Sequence, residues 1–355
     1  MNSKLKIYSD FSTVEQDDLK NLNPILSFHL KDLDLNEALA GKNNPASPLA
    51  LTTNPDEADW FVLPMFWSYY LWNDKAKLGE TVQLAKLAQK HNKQVIVWYK
   101  GDLIPIIPFD NAILFLPGML RSNSKQNQRA CPVFVNDPAP LFGGNNGLPR
   151  EKKDKPSVGF CGYASINTIK FLWSILRGLQ LNAASRLGKY EYEGVPVVPA
   201  TITRARALNL LSHNSKVETC FVIRDKYYGN KFQKSSLTTS DDAQTFYSNI
   251  YDTDYTLCLR GYGNWSYRFY ETLACGRIPV FIDTDCVLPL SSTIDWKKYC
   301  VWIDRSDLRF IGEKIADFHS SLSPADFIEM QIACRKLWEE HLTPEGFMNH
   351  FREYL

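Results

Sequence analysis

Between Tyr255 and Asp285 the chain reads YTLCLRGYGNWSYRFYETLACGRIPVFIDTD. Arg260 and Arg268 flank a Gly-x-Gly formed by Gly261 and Gly263, Glu271 follows, and the triplet Asp283-Thr284-Asp285 closes the stretch. These residue types together suit a phosphorylated ligand. Guanidinium groups fork onto phosphate oxygens, glycines let backbone N–H groups approach an anion, and a carboxylate can accept the paired hydroxyls of a ribose. The other reading of Arg268 and Glu271 is an i,i+3 ion pair on a solvated helix face.

Such residues need elements to hold them. The apolar run 255–259 suits a buried parallel strand, which puts Arg260 to Gly263 in the loop at its carboxyl end, where open α/β sheets bind ligands. Asn264 or Ser266 can cap the helix that follows. At helical spacing Asn264, Arg268, Glu271 and Cys275 share one stripe, with Trp265, Phe269 and Leu273 on another that packs against the sheet. Across the whole chain, short apolar runs alternate with helix-like segments: KIYS, ADWFVLPMFW, a helical GETVQLAKLAQKHNK, QVIVWYK, AILFLPG and CPVFV. After a Pro-, Gly- and Asn-rich stretch at 136–157 the alternation restarts with SVGFCG, a helical NTIKFLWSILRGL, ETCFVIRD, a helical DDAQTFYSNIY, and the strands YTLCL, RIPVFID and YCVWID. The pattern predicts parallel α/β structure in two halves, with residues 1–140 in the first, 141–156 as linker, 157–340 in the second and a C-terminal helix at 341–355.

With 40 basic and 39 acidic residues the 355-residue chain carries a formal charge of +1, so any anion has to be bound locally, and nucleic acid is not an expected partner. Its eight cysteines show no C-x-x-C and read as buried free thiols, and its six histidines show no zinc spacing. No run approaches a membrane span, and MNSKLKIYSDFS lacks the apolar core of a signal peptide, so the expected location is cytoplasmic, at most peripheral at a membrane.

The order LCLRGYGNWSYRFYETLACGRIPVFID, then VLPL, then IDW resembles the C-terminal half of the exostosin-like glycosyltransferases (family 47), and TTNPDEADWFVLPMFWSYY is similar to an N-terminal element of that family. The resemblance runs from about Thr52 to Trp296. It implies a GT-B fold, two Rossmann-like domains facing across a cleft, with a nucleotide-sugar on the C-terminal domain and a glycan or polysaccharide acceptor largely on the N-terminal one. Transfer inverts the anomeric carbon, and the donor, most simply a UDP-sugar, is the only small molecule needed. The family's eukaryotic members carry an N-terminal Golgi anchor, which this sequence does not show. Two alternatives stay open: a fucosyltransferase-like GT-B enzyme using a GDP-sugar, and a non-catalytic carbohydrate-binding scaffold.

On this reading the donor-side residues are Arg260, Gly263, Asn264, Ser266, Arg268 and Glu271, joined by Gly162 and Arg224. Gly162 belongs to VGFCGYAS, where the G-x-G-x-x-G spacing is broken and a tight turn with phosphate-facing N–H groups is expected. Arg224 ends the strand of VIRDKYYG and is either a third cationic contact or a solvated loop arginine. D-x-D triplets occur three times, at Asp32-Asp34, Asp252-Asp254 and Asp283-Asp285. Because arginines can neutralise the same phosphates, the expected site holds no metal. An inverting transfer also needs a base on a cleft-facing loop, and Asp102, after VIVWYK, and Asp10, after KIYS, occupy such loops. The cluster FWSYYLW at 66–72 is either core or a set of stacking faces for sugar rings.

Overall fold

In the computed structural model the chain is described over residues 4–12, 14–31, 37, 44, 47–142, 148–164, 168–195, 197–224 and 241–355. The first half builds a six-stranded sheet from β1 (Leu5–Tyr8), β2 (Leu49–Leu51), β3 (Trp60–Val62), β4 (Val95–Trp98), β5 (Ala112–Leu116) and β6 (Gln128–Ala130), in the order β2-β1-β3-β4-β5-β6. Every pairing in it is parallel. β4 and β5 are apolar throughout and buried throughout, as central parallel strands must be when helices cover both faces. Helices α1 (Pro24–His29), α2 (Trp67–Trp72) and α3 (Leu78–Lys90) belong to this half. Asn54 accepts the Asp56 N–H at 3.1 Å and so starts the turn that feeds β3.

The second half carries β7 (Ser157–Tyr163), β8 (Glu218–Arg224), β9 (Tyr255–Cys258), β10 (Ile278–Asp283) and β11 (Val301–Asp304) in the order β11-β10-β9-β7-β8, again all parallel. Between them run α4 (Thr168–Arg186), α5 (Ala200–Ser212), α6 (Asp241–Tyr251) and α7 (Tyr267–Ala274). A helical region follows: α8 (Ile311–Ser321), α9 (Pro324–Leu337), α10 (Pro344–Asn349) and α11 (Phe351–Tyr354). The loops leaving β4 and β5 meet those leaving β9 and β10, so the carboxyl ends of the two sheets face each other. Asp102 accepts the Gly263 N–H at 3.1 Å, and Leu120 bridges Cys286. This is the GT-B-type architecture of two Rossmann-like halves.

Several local expectations change. CPVFV was expected as a strand, but the ladder stops at Ala130: Cys131 still donates to Leu116 O at 3.1 Å, and Pro132, with no N–H, cannot continue it. The helix begun at NTIKFLWSILRGL runs on to Arg186, while α5 and the short β2 carried no clear periodicity in the sequence. The cysteines are all free, as expected, and all but Cys220 are buried.

The C-terminal helices return to the first half. Phe347 is buried against Trp98, Phe134 and Phe351, with ring centroids 5.2, 5.7 and 5.7 Å away, and Phe115 packs on Phe351 and Tyr354. Arg129 donates to the carbonyls of Tyr354 and Leu355. Phe347→Ala should therefore destabilise the first half by about 3–5 kcal/mol, read as a lower urea midpoint. An unchanged midpoint would mean that the tail is not part of that core.

Candidate active site

The strand order of the second half reverses between β7 and β9. Loops leaving such a pair part in opposite directions and open a crevice outside the strands' carboxyl ends. The side chain of Arg268, on α7, occupies that crevice. Its Nη2 donates to Cys161 O at 2.7 Å, and its guanidinium carbon lies 4.3 Å from the Phe160 ring centroid and 5.6 Å from that of Phe246. Its Nε is closed off from water and, among the described residues, has no hydrogen-bond partner. Burial pushes the Arg268 pKa down, and among the described residues no carboxylate comes within ion-pair distance of it.

Glu271, one turn further along α7, does not pair with Arg268. It shares a hydrogen bond with the Tyr247 hydroxyl, and burial raises its carboxyl to about 7 against the opposing pull of Arg268 and Tyr247. The predicted solvated ion pair is thus absent. Gly162 lies within β7, paired with Ile223, and not in a turn beyond it. Its role is space: a Cβ there would stand 2.8 Å from Arg268 Nη2.

Other arginines line the same carboxyl ends. Arg224 donates to Asp242 O at 2.9 Å, and its charge is felt at Cys161 and Arg268. Arg260 is committed to shaping its loop, donating to the carbonyls of Val198 at 2.8 Å and Tyr262 at 3.0 Å. Burial and the nearby charge of Arg305 lower its pKa. Arg204, from α5, donates to Tyr163 O at 2.8 Å and Arg260 O at 3.2 Å and so ties β7 to the loop after β9. Sequence reasoning missed Arg204 because α5 itself was not recognised. Arg305, immediately after β11, could have been found by the strand-end rule that singled out Arg224.

Asn264 precedes α7 and is not on its stripe. Its amide nitrogen donates to Met119 O and Asp285 O, both at 3.1 Å, and its oxygen accepts from Thr284 Oγ1 at 2.7 Å, so it ties the loop after β10 to its own loop and reaches the first half through Met119. Ser266 is the residue at the N-cap of α7, but its hydroxyl makes no cap bond and lines a narrow cavity with Pro117, Arg260 and Trp265. Gly263 is needed for close approach, since a Cβ would meet Asp102 O at 2.7 Å.

The D-x-D carboxylates turn to the same seam. Asp283 pairs with Arg121 at 2.7 Å and accepts the Cys286 N–H, while Asp285 accepts from the backbone and hydroxyl of Ser122. Asp254 is fully buried and bonded to Ser157 and Arg150. Asp32 and Asp34 lie outside the described residues.

Of the candidate bases, Asp102 stands at the cleft against Gly263. It is exposed on one side, and the protein around it raises its carboxyl above the usual range, opposed by the Gly263 N–H. Asp10 holds the Ser12 N–H at 2.9 Å at the crevice between β1 and β3, the corresponding switch point of the first half, and touches no described residue of the second half. The 66–72 cluster is largely core: Trp67, Tyr69 and Tyr70 are buried, whereas Trp72 is 59% exposed and donates through Nε1 to Tyr192 Oη at 2.9 Å.

Residues 202–316, which include all five arginines, match the family described as the Exostosin GT47 domain. A probable glucuronosyltransferase, GUT1, of Oryza sativa subsp. japonica is 36% identical over 70 residues, 20% of this chain and 17% of that protein. Exostosin-1 of Drosophila melanogaster is 34% identical over 88 residues, 24% of this chain and 11% of that protein. The matched stretch thus spans under a fifth of the length of these curated relatives. Among solved structures TarM is similar at 10% identity with a TM-score of 0.40, over 84% of this chain and 55% of that one. The matched region holds the arginine-lined crevice, and it is over this part of the second half that the chain is similar to the exostosin-like glycosyltransferases of family 47.

Proposed function

We propose that the protein transfers a sugar from a nucleoside diphosphate sugar, most simply a UDP-sugar, to a glycan acceptor with inversion at the anomeric carbon and without a metal ion. The observation that carries this is Arg268, a cation at the switch-point crevice whose buried Nε has no partner, and which has no carboxylate against it, among the described residues. A guanidinium held this way is left undersatisfied until an anion arrives, and a diphosphate supplies both charge and acceptors. Arg224 and Arg305 add positive potential, while Arg260 and Arg204 act as positioning residues that fix the loop.

The chemistry is a single displacement. Asp102 takes the proton of the acceptor hydroxyl, the hydroxyl oxygen bonds to the anomeric carbon, and the bond from that carbon to the diphosphate oxygen breaks. Negative charge grows on the leaving diphosphate, where Arg268 stands ready. A raised carboxyl pKa favours proton acceptance, and the Gly263 N–H holds Asp102 beside the donor loop. Trp72 and Tyr262, 59% and 56% exposed, offer faces for acceptor rings. The relatives' names suggest a uronic acid or a pentose as the sugar moved. The D-x-D carboxylates are occupied by Arg121 and Ser122, which supports neutralisation of the diphosphate by arginine.

Calorimetry with UDP in the presence of EDTA should show binding, and Arg268→Lys, which keeps charge but loses the fork, should lower transfer about 100-fold with the fold intact. Binding that needs a divalent ion, or wild-type activity in Arg268→Lys, would sink the reading, and a preference for GDP would move it to the fucosyltransferase-like alternative.

A second test uses Glu271. Its folded carboxyl titrates at about 7 against an ordinary 4.5, so between those values the native state holds a proton that the unfolded chain has released, and this group's contribution to stability falls as pH rises through that window. Glu271→Gln should match wild type below pH 4.5 and become the more heat-resistant of the two toward pH 7. Parallel melting curves across the window would show that Glu271 is not held protonated by burial.

A further inference from the structure

Helix α4 is turned inside out relative to an ordinary surface helix. Toward the protein it presents Gly178, which is buried, Asn182, which exchanges hydrogen bonds with Val195 at 2.8 and 3.1 Å, and Ser185, whose hydroxyl donates to Tyr192 O at 2.6 Å. Toward solvent it presents Leu172, Trp173, Leu176 and Leu179, each more than half exposed, with Leu187 just beyond its end. At helical spacing Leu172, Leu176, Leu179 and Ala183 form one stripe, and Arg177 and Arg186 flank it. A contiguous apolar face of this kind on a soluble surface marks a binding surface. Nothing among the described residues covers it.

The charge around the stripe selects the occupant. From Ser157 to Tyr190 the chain has four basic residues (Lys170, Arg177, Arg186 and Lys189) and no acidic one, although its overall charge is only +1, so the remaining residues sum to −3. Pairing with a second copy would bring two such basic helices together, which like-charge repulsion opposes. An anionic lipid surface instead satisfies both the stripe and its flanks. Leucines and a tryptophan enter the acyl boundary while arginines meet lipid phosphates. The inward bonds of Asn182 and Ser185 keep α4 attached to its own domain, so it lies on a bilayer and does not cross it.

We propose that α4 is a membrane-surface docking helix for anionic lipid. Because α4 begins five residues after β7 ends, docking would hold the mouth of the arginine-lined crevice at the lipid surface.

The test is co-sedimentation of the full chain with vesicles of phosphatidylcholine mixed with phosphatidylglycerol, against phosphatidylcholine alone. The mixed vesicles should bind the protein in a salt-sensitive way and the neutral ones should not. Leu176→Glu with Leu179→Glu should abolish binding, and Arg177→Glu should weaken it about tenfold, with melting temperatures unchanged because these side chains are exposed. Absence of binding to the mixed vesicles overturns the proposal, as does full binding by the double glutamate variant. A dimer in sedimentation equilibrium that Leu176→Glu dissolves would assign the face to a second copy and overturn it equally.

Discussion

A guanidinium withdrawn from water without a carboxylate beside it is costly, and much of the second half is arranged around keeping Arg268 in that state. Phe160 and Phe246 give it flat, polarisable contacts, the Cys161 carbonyl accepts one of its five N–H groups, and Gly162 supplies the room. The nearest acid, Glu271, is held close to neutrality by the same desolvation and turned toward Tyr247. The crevice thus keeps a cation whose charge no described carboxylate neutralises.

A second constraint is the seam between the halves. Asn264, Asp283 and Asp285 meet Met119, Arg121 and Ser122 through short polar contacts, and Trp265 packs against Gly118, where a Cβ would come within 2.9 Å of its ring. Just beyond Asp102, residues 104–106 exchange backbone hydrogen bonds with 191–193. The loop after β9, Asp102 and this strap therefore form one hydrogen-bonded rim that fixes the spacing between Asp102 and the arginines of the second half.

The parts legible in the sequence were those whose signal is local. Apolar runs such as AILFL and IPVFID announce buried parallel strands, the strand-end rule put Arg260 and Arg224 at carboxyl-end loops, and helical spacing put Arg268 on the helix that follows. What was not legible depended on contacts across long separations. Asn264 looked like a helix residue facing a ligand because its partners, Met119 across the seam and Asp285 after β10, cannot be inferred from spacing. Gly162 looked like a turn because a lone glycine does not say whether it bends the chain or makes room for a neighbour. The expectation that Asp283 and Asp285 hold no metal came with no account of what they do instead, because nothing near them in sequence reveals Arg121 and Ser122.

The packing of α10 and α11 on the first sheet also sets an order of events during synthesis. Trp98 and Phe115 leave the ribosome more than two hundred residues before Phe347, Phe351 and Tyr354, which complete their surroundings. At ordinary elongation rates that interval is about 10 to 50 s. For that time the first half carries an uncovered aromatic surface. Nascent chains of this protein therefore have a window in which chaperone binding or aggregation competes with folding, and it closes only once the tail arrives.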